Sequence, residues 1–508
     1  MTLPEKHFNE TRDLLKAIDK HKIANWLLKE GYFPEQNILP PSFKVDDFTI
    51  NSACYLKDFR NPPRKKIIHV SYPKSLLISR VFGIQHPYHY HDIVYLLIEN
   101  WDSIIDHIFN KDTVIYTYSL PIPVNSSCKG ELGTLRAGRL IYEWIEMAER
   151  DIVAESHKFK LLIHTDITNF YNSVYTHSIP WAIHGRENSF KDKECKLFGN
   201  KIDKLIQYAN DGRTNGIPVG SAVSDLIAEI LLARIDQQVS RRIKDEKITF
   251  LGTRFKDDYR ILVKSEKEKD RILKILCEEL EKYNLLISEN KTQIFTLPEG
   301  LYRHHNREYF PYSLRGSGRI YFKKFEYTLL KVLDIHKKYS GTSIIEKFLN
   351  ELFDKNCNLR LSFSRNKHNR EKEILKTLSL LFLLKRESEK VLCYILAIIE
   401  DIYNKYNKKR ELKKILIQII GLEAKKASGR RSEFEIIWLV FFSRYLRLGI
   451  DFTSLIDKHL EENKLLKSAV ESKQKIFADS NIKLFRKPSD CHGQKLAKHL
   501  AVFNRCME

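Results

Sequence analysis

Phe255-Lys256-Asp257-Asp258-Tyr259 sets two adjacent acids between two apolar-periodic segments, Ile248–Leu251 before them and Tyr259–Val263 after. The pattern reads as a β-hairpin with paired carboxylates at its tip, where neighbouring side chains can reach one ion. Asp is also a common turn residue, so such a pair on its own is more often a solvated turn. A third carboxylate, and a reason to bind metal, would change that. Upstream, Lys158-Phe-Lys-Leu-Leu-Ile-His-Thr-Asp-Ile167 is an apolar-rich strand that ends in Asp166. An acid at the carboxyl end of a buried strand is costly unless ligated or paired, which sets Asp166 apart from surface acids.

Between these two elements a helix is expected over Glu194–Ala209. Asn215-Gly-Ile-Pro-Val-Gly220 then forms a Gly/Pro turn that opens an amphipathic helix from Ser221 to about Lys244, with Ser221 or Ser224 near its N-cap. After the hairpin, Ile272, Leu273, Leu276 and Leu280 share one face of a helix over Glu266–Tyr283, and Leu285–Ile294 resumes as turn and strand. The order is strand, helix, helix, hairpin, helix, strand. A small antiparallel sheet with helices on one face, the ferredoxin-like β-α-β-β-α-β plan, generates it.

The chain has 508 residues, which suggests two to four domains. Its 86 basic and 65 acidic residues leave a formal charge of +21, spread along the whole length. Such a field favours polyanions, although a basic solvated surface has the same composition. No basic n-region with an apolar run opens the chain, and Ile436–Phe442 is far shorter than the ~20 residues that span a bilayer. The eight cysteines (54, 128, 195, 277, 357, 393, 491 and 506) form no CxxC pair, which fits a reducing cytosol and speaks against a zinc ribbon or disulfide framework.

Five regions follow. Residues 1–60 read as helices and loops, with helical periodicity over Thr11–Leu28. Residues 61–157 are basic and His-rich, with a helix over Ile93–Phe109; His86, His89 and His91 have only Asp92 near ligand spacing, which disfavours zinc. Arg136 and Arg139 suit phosphates or an exposed helix start equally. Residues 158–300 hold the sheet. Residues 301–330 interleave rings with Arg and Lys, the composition of a single-strand-binding surface or of core rings flanked by surface lysines. Residues 331–508 are expected to be all-α, with helices over Lys372–Leu383, Leu392–Tyr406, Leu412–Ile420, Glu433–Leu448 and Leu455–Leu466 and loops at Ser362–Asn369 and Ala424–Ser432. They read as stacked pairs with some solenoid, HEAT-like character but no clean repeat.

If strand 158–167 pairs beside the hairpin, Asp166, Asp257 and Asp258 converge at one sheet edge. Mg²⁺, or Mn²⁺ in its place, takes hard oxygen ligands, and one or two carboxylates plus substrate phosphates suffice. Two such ions clamp the attacking and leaving oxygens of an in-line phosphoryl displacement. Catalysis there is electrostatic, with no protein nucleophile.

Asp-Ile-Thr-Asn-Phe-Tyr (166–171), Gly-Ile-Pro-Val-Gly (216–220), Phe-Lys-Asp-Asp (255–258) and Leu-Ile-Ser-Glu-Asn-Lys-Thr (286–292) resemble palm motifs A, B, C and D of reverse transcriptases, in the family's order. The resemblance covers roughly residues 60–300 and implies right-hand-like fingers and palm. By it, Asp166, Asp257 and Asp258 are the metal-binding and catalytic aspartates, with the Ile167 carbonyl as a further ligand. Tyr171 falls at the steric gate against a ribose 2′-hydroxyl, although a core ring is the plainer reading of an aromatic there. Gly216, Pro218 and Gly220 belong to the substrate-binding turn. Lys291 matches the lysine that protonates departing pyrophosphate, or is a surface lysine.

The chain departs from the pattern at Val219, where Gln is usual, and at Phe255, where Tyr is usual. No conventional thumb or primer grip is recognisable, and no RNase H or integrase region is expected. Asn169-Phe-Tyr171 with Tyr175-Thr-His-Ser-Ile-Pro-Trp181 is similar to the prokaryotic abortive-infection branch, AbiK-like and prophage-encoded. That resemblance implies a bacterial cytoplasmic enzyme of phage defence, homo-oligomeric (trimer or hexamer) and without membrane. It would build single-stranded DNA from dNTPs without template, primed from and attached to a tyrosine. A templated enzyme of retron or intron type, and a non-catalytic nucleic-acid-binding scaffold, are the alternatives.

Overall fold

The computed structural model describes residues 1–74, 78–124, 132, 138–406, 409–453, 463–491, 493 and 495–500, with side chains from 147 onward in the helix Gly138–Glu155. Two compact units emerge. Residues 1–34, 45–68 and 83–302 form the first, and residues 35–44, 69–82 and 303–508 form the second. Strands β1 (Ile68–Pro73) and β2 (Ser79–Ile84) pair as a two-stranded sheet.

The first unit is built on five strands: β3 (Ile115–Thr117), β4 (Leu161–Asp166), β5 (Phe250–Phe255), β6 (Asp258–Val263) and β7 (Gln293–Thr296), in the order β3-β5-β6-β4-β7. β4 runs antiparallel to both β6 and β7, β5 antiparallel to β6, and β3 parallel to β5. Without β3 this is the ferredoxin-like plan read from the element order. Leu161, Leu162 and Ile163 lie opposite Val263, Leu262 and Ile261, all essentially buried. Each such side chain contributes about 1.5–3 kcal/mol on burial. A one-residue slip would exchange the faces of the strand and bring the His164–Arg260 pair inward, so the register is specified by the apolar pairs.

Helix Ala222–Asp245 is the central helix of this unit. Its Ser221 cap accepts the Ser224 N–H at 3.2 Å, and its flanks pack on helices Trp101–Ile108, Ser178–His184 and Glu266–Glu281. Leu226, Ile230, Leu231, Ile235 and Val239 are fully buried, as expected for a helix covered on several sides.

The second unit is mostly helical: Phe322–Lys338, Ile344–Asn350, Lys367–Glu387, Leu392–Lys405, Lys409–Gly429, Glu433–Tyr445 and Lys464–Glu471. Segment 35–44 belongs here because Trp438 Nε1 donates to the Ile38 carbonyl at 3.2 Å and Phe43 packs edge-on against Phe485. Lys385, also buried, is ion-paired to Glu423 and Glu435.

Several expectations need correction. The periodicity of Thr11–Leu28 runs across two helices, Leu3–Ala17 and Lys20–Lys29, because Asp19 starts a new one by capping the His21 N–H at 2.6 Å. Ile93–Phe109 likewise divides at Asn100 into Pro87–Glu99 and Trp101–Ile108. The loop expected at Ala424–Ser432 is helical to Gly429, where Ala424 and Ala427 are buried. The region expected to be all-α contains β9 (Leu361–Ser362), parallel to β8 (Ile320–Tyr321). Arg136, the Arg139 side chain, Cys128, Cys506 and residues 455–462 of one expected helix lie outside the described residues. Among the described residues no helix is long and apolar enough to cross a membrane.

Candidate active site

The β4–β6 register sets Asp166 directly opposite Asp258. Phe255 pairs with Asp258, so Lys256 and Asp257 form the two-residue turn between β5 and β6. Lys256 adopts φ +52°, a left-handed conformation that costs a residue with a side chain about 1–3 kcal/mol. Three ties hold it. Arg254 Nη1 donates to the Lys256 carbonyl at 3.0 Å, Lys256 Nζ reaches Asp225 Oδ2 at 3.3 Å, and the Ile167 N–H donates to the Asp257 carbonyl at 3.2 Å. The last of these fastens the hairpin tip to the end of β4. All three sequence-predicted aspartates therefore meet where the interior strands β4 and β6 end, rather than at an edge strand.

Asp166 is buried. Its Oδ2 accepts from Lys291 Nζ, while its Oδ1 is enclosed with no hydrogen-bond partner. Burial raises the Asp257 carboxyl above its usual range, and Asp166 raises it further against the pull of Lys256 and Lys291. Asp258 stands at the exposed rim, yet its carboxyl is pushed up to about 6, first by loss of water on its protein side and then by Asp257 and Asp166. Mutual repulsion of this kind is relieved by a cation. Lys291, in the turn Glu289–Lys291, supplies part of that charge, and its bond to Asp166 raises its own pKa. A cavity of about 360 Å³ is shared by Asp166, Asp258, Lys291, Arg260 and Gln293.

The donor set is all hard oxygen, and the orphaned Asp166 Oδ1 has no partner without a cation, so these residues fit Mg²⁺ or Mn²⁺. The Ile167 carbonyl lies at the same strand end. Among the described residues no three His, Cys, Asp or Glu side chains close into a ready-made cage. A site that borrows ligands from substrate phosphates does not need one.

Tyr171 lies just beyond β4, its ring edge-on to the buried Phe170. Its hydroxyl donates to Asp225 Oδ1 at 2.6 Å, so Asp225 joins Tyr171 to Lys256 of the hairpin turn. Burial, then Asp225, raise the Tyr171 pKa well above its ordinary value. The Gly/Pro turn runs alongside: the Ile217 N–H donates to the Tyr171 carbonyl and the Gly216 N–H to the Val174 carbonyl, each at 2.8 Å. Gly216 has φ +86°, and a Cβ there would press on the Asn172 carbonyl at 3.4 Å. Gly220, at φ +123°, leads into Ser221, and between Gly216 and Gly220 the buried Pro218 lies near Gly83, whose N–H donates to the Val219 carbonyl at 2.9 Å.

Sequence reasoning missed a second tier of residues beneath the aspartates. Arg254 is fully buried; its Nε donates to Asp236 Oδ2 at 2.8 Å and its Nη1 and Nη2 to Glu229 at 3.0 and 3.1 Å. Tyr259 closes on Asp236 Oδ1 at 3.0 Å, and Thr117 of β3 on Glu229 Oε2 at 2.8 Å. Burial alone would lower the basicity of Arg254, but Asp236 and Glu229 outweigh it and raise it. One guanidinium cannot neutralise two carboxylates, and Asp236, desolvated and beside Glu229, is pushed up to about 6. A signal existed: Asp225, Glu229 and Asp236 are spaced by four and seven along the mainly apolar first part of the helix, residues 222–236, and Arg254 sits within a mostly buried strand pattern.

Residues 121–338 match the family described as reverse transcriptase (RNA-dependent DNA polymerase), so a reverse transcriptase domain is present. Among solved structures, telomerase from Candida albicans in complex with a TWJ fragment of telomeric RNA is 11% identical with a TM-score of 0.30, over 72% of this chain and 65% of that one. Apo telomerase from Candida tropicalis is 13% identical with a TM-score of 0.33, over 77% of this chain and 69% of that one. The matched part spans about two thirds of the length of each of these two structures. No curated protein matches it.

Proposed function

We propose that the chain is a DNA polymerase that adds deoxynucleotides at Asp166, Asp257 and Asp258. The observation that carries this is the strand register that opposes Asp166 to Asp258, with Asp257 fastened to Ile167. The hydroxyl of a growing end would give up its proton to water as its oxygen bonds to the α-phosphorus of a dNTP, the bond from that phosphorus to the bridging oxygen would break, and pyrophosphate would leave. The three aspartates and the Ile167 carbonyl would hold Mg²⁺ or Mn²⁺, which when bound supplies the charge that offsets the triphosphate and the developing alkoxide. Lys291, tied to Asp166 before substrate arrives, would exchange that partner for the pyrophosphate and give it a proton. Tyr171, its hydroxyl engaged by Asp225, would present a fixed ring edge against a ribose 2′-hydroxyl. Gly216, Pro218 and Gly220 would shape the adjoining substrate turn.

The finer reading is an abortive-infection enzyme: a homo-oligomer of the bacterial cytoplasm, template-independent and primed from a tyrosine. In it a HEAT-like helical region takes the place of a thumb. The residues 166–171 and 175–181, the Val219 departure and the helical second unit support this reading. The test is incubation of purified protein with dNTPs and Mg²⁺, without template or primer. DNA that stays attached to protein after denaturation, and that Asp257→Asn reduces by at least ~10³-fold, is expected. Strict dependence on added template would instead make the enzyme a retron- or intron-type one, and incorporation unaffected by Asp257→Asn would remove the catalytic reading altogether.

A further inference from the structure

The basic, aromatic stretch after residue 302 has two readings in sequence, and its side chains separate in the structure. Tyr309 is a core residue, fully buried, with its hydroxyl on Glu351 Oε2 at 2.6 Å. Phe310, Tyr312 and Tyr321 are not: they are 79%, 40% and 63% exposed. Three large rings presented to solvent within twelve residues have no packing explanation.

Between them, Arg315-Gly-Ser-Gly-Arg319 borders a cavity of about 760 Å³ within the second unit. Arg315 and Arg319 are exposed, and among the described residues neither side chain is held by an ion pair. The cavity wall is Arg360, whose guanidinium donates to the carbonyls of Leu314 (3.0 Å), Ser317 and Glu351 rather than to a carboxylate. Its Nε has no acceptor. These bonds also staple the loop in place. Gly316 has φ +69°, and a Cβ on Gly316 or Gly318 would meet nothing within 4 Å, so the loop backbone faces open space. The two acids of the cavity, Glu351 and Asp354, accept local hydrogen bonds and offset part of the charge of Arg360. Glu351 Oε2 takes Tyr309, Ser313 and the Leu314 N–H, and Asp354 takes the N–H groups of Asn356 and Asn358. Four cations, Arg315, Arg319, Lys355 and Arg360, against the two acids leave the space net positive, and exposed rings flank it along the chain.

We propose that this segment binds single-stranded nucleic acid, with backbone phosphate at Arg315 and Arg319, on the loop that Arg360 staples, and bases on Phe310, Tyr312 and Tyr321. Guanidinium groups recognise phosphate oxygens in pairs, and a ring can stack only on a base whose face is not already in a duplex. The inference stands on residues separate from the aspartate site and holds whether or not that site polymerises.

The test is anisotropy of a fluorescein-labelled oligodeoxythymidylate titrated with full-length protein in EDTA, where no nucleotidyl transfer proceeds, over a series of NaCl concentrations. R315A/R319A is expected to weaken binding at least ~10-fold and to lower the slope of log affinity against log salt by roughly 1.4, two phosphates at about 0.7 each. F310A/Y321A is expected to weaken binding roughly 10-fold with the slope unchanged, since stacking releases no counterions. All four positions are exposed, and unchanged melting of each variant excludes misfolding. Wild-type affinity and slope in R315A/R319A would overturn the proposal, as would equal affinity for a duplex of the same length.

Discussion

Replacing Arg254 with Met tests how the hairpin tip is held. The change keeps length and apolar bulk but leaves Glu229 and Asp236 buried around a missing cation, and frees the Lys256 carbonyl. Removing one partner of a buried ionic group costs about 3–5 kcal/mol, because the remaining charge is neither solvated nor paired. For a unit of this size roughly 2 °C of melting temperature follows each kcal/mol, so R254M should melt roughly 6–10 °C lower. Calorimetry with urea titration measures it. The cause is checked by R254M/E229Q/D236N, in which neutral amides replace the stranded carboxylates. It should recover at least ~2 kcal/mol of the loss, since neutral partners in contact can still share hydrogen bonds with Thr117 and Tyr259. Incorporation by R254M should stay low well below its melting temperature, because the left-handed turn at Lys256 has lost its carbonyl tie. A drop of under ~2 °C, or a triple variant no more stable than R254M, would refute the electrostatic account.

Asp236 gives a pH dependence. Its carboxyl lies at about 6 in the folded unit against 3.8 when unperturbed, so between those values the folded form holds the additional proton. The stability this group contributes is full below about pH 4 and declines as pH rises towards 6. The stability of wild type relative to Asp236→Asn should therefore fall across that window, and a difference constant from pH 4 to 7 would exclude it. Tyr171→Ala should raise ribonucleotide incorporation relative to deoxynucleotide, whereas Tyr171→Phe, which keeps the ring and loses only the Asp225 bond, should keep selectivity and lose about 1–2 kcal/mol of stability. Competition assays with paired dNTP and rNTP measure the first, and unchanged selectivity in Tyr171→Ala would remove the residue from the gate.

Strands β4, β5 and β6 were legible because each is a short apolar run and the acids fall at their ends, where a period of two and a turn leave few alternatives, whereas β7, mostly exposed, begins only at Gln293, near the end of the stretch 285–294 expected to hold it. β3 was not. At three residues, all buried, it carries no periodicity and exists because the Tyr118 N–H and its neighbours pair with the edge of β5. The breaks at Asn100 and Asp19 were hidden for the opposite reason: apolar spacing continues across them, and only bonds local to the break mark it, the Asn100 side-chain amide on the Leu96 carbonyl and the Asp19 carboxylate on the His21 N–H. Segment 35–44 reads as a proline-broken loop, and its place in the second unit rests on partners 400 or more residues away, Trp438 and Phe485.

Taken alone, the sequence determined the order of the sheet elements and that Asp166, Asp257 and Asp258 fall at strand ends and a turn, because strand, turn and acid are local properties of neighbouring residues. Tertiary structure decided what surrounds them. That one guanidinium, Arg254, sits fully buried between Glu229 and Asp236, that Tyr171 and Lys256 share Asp225, and that Phe310 faces solvent while Tyr309 does not, all depend on which surfaces meet. Burial and pairing are properties of contacts between distant segments, and identical local strings allow either outcome.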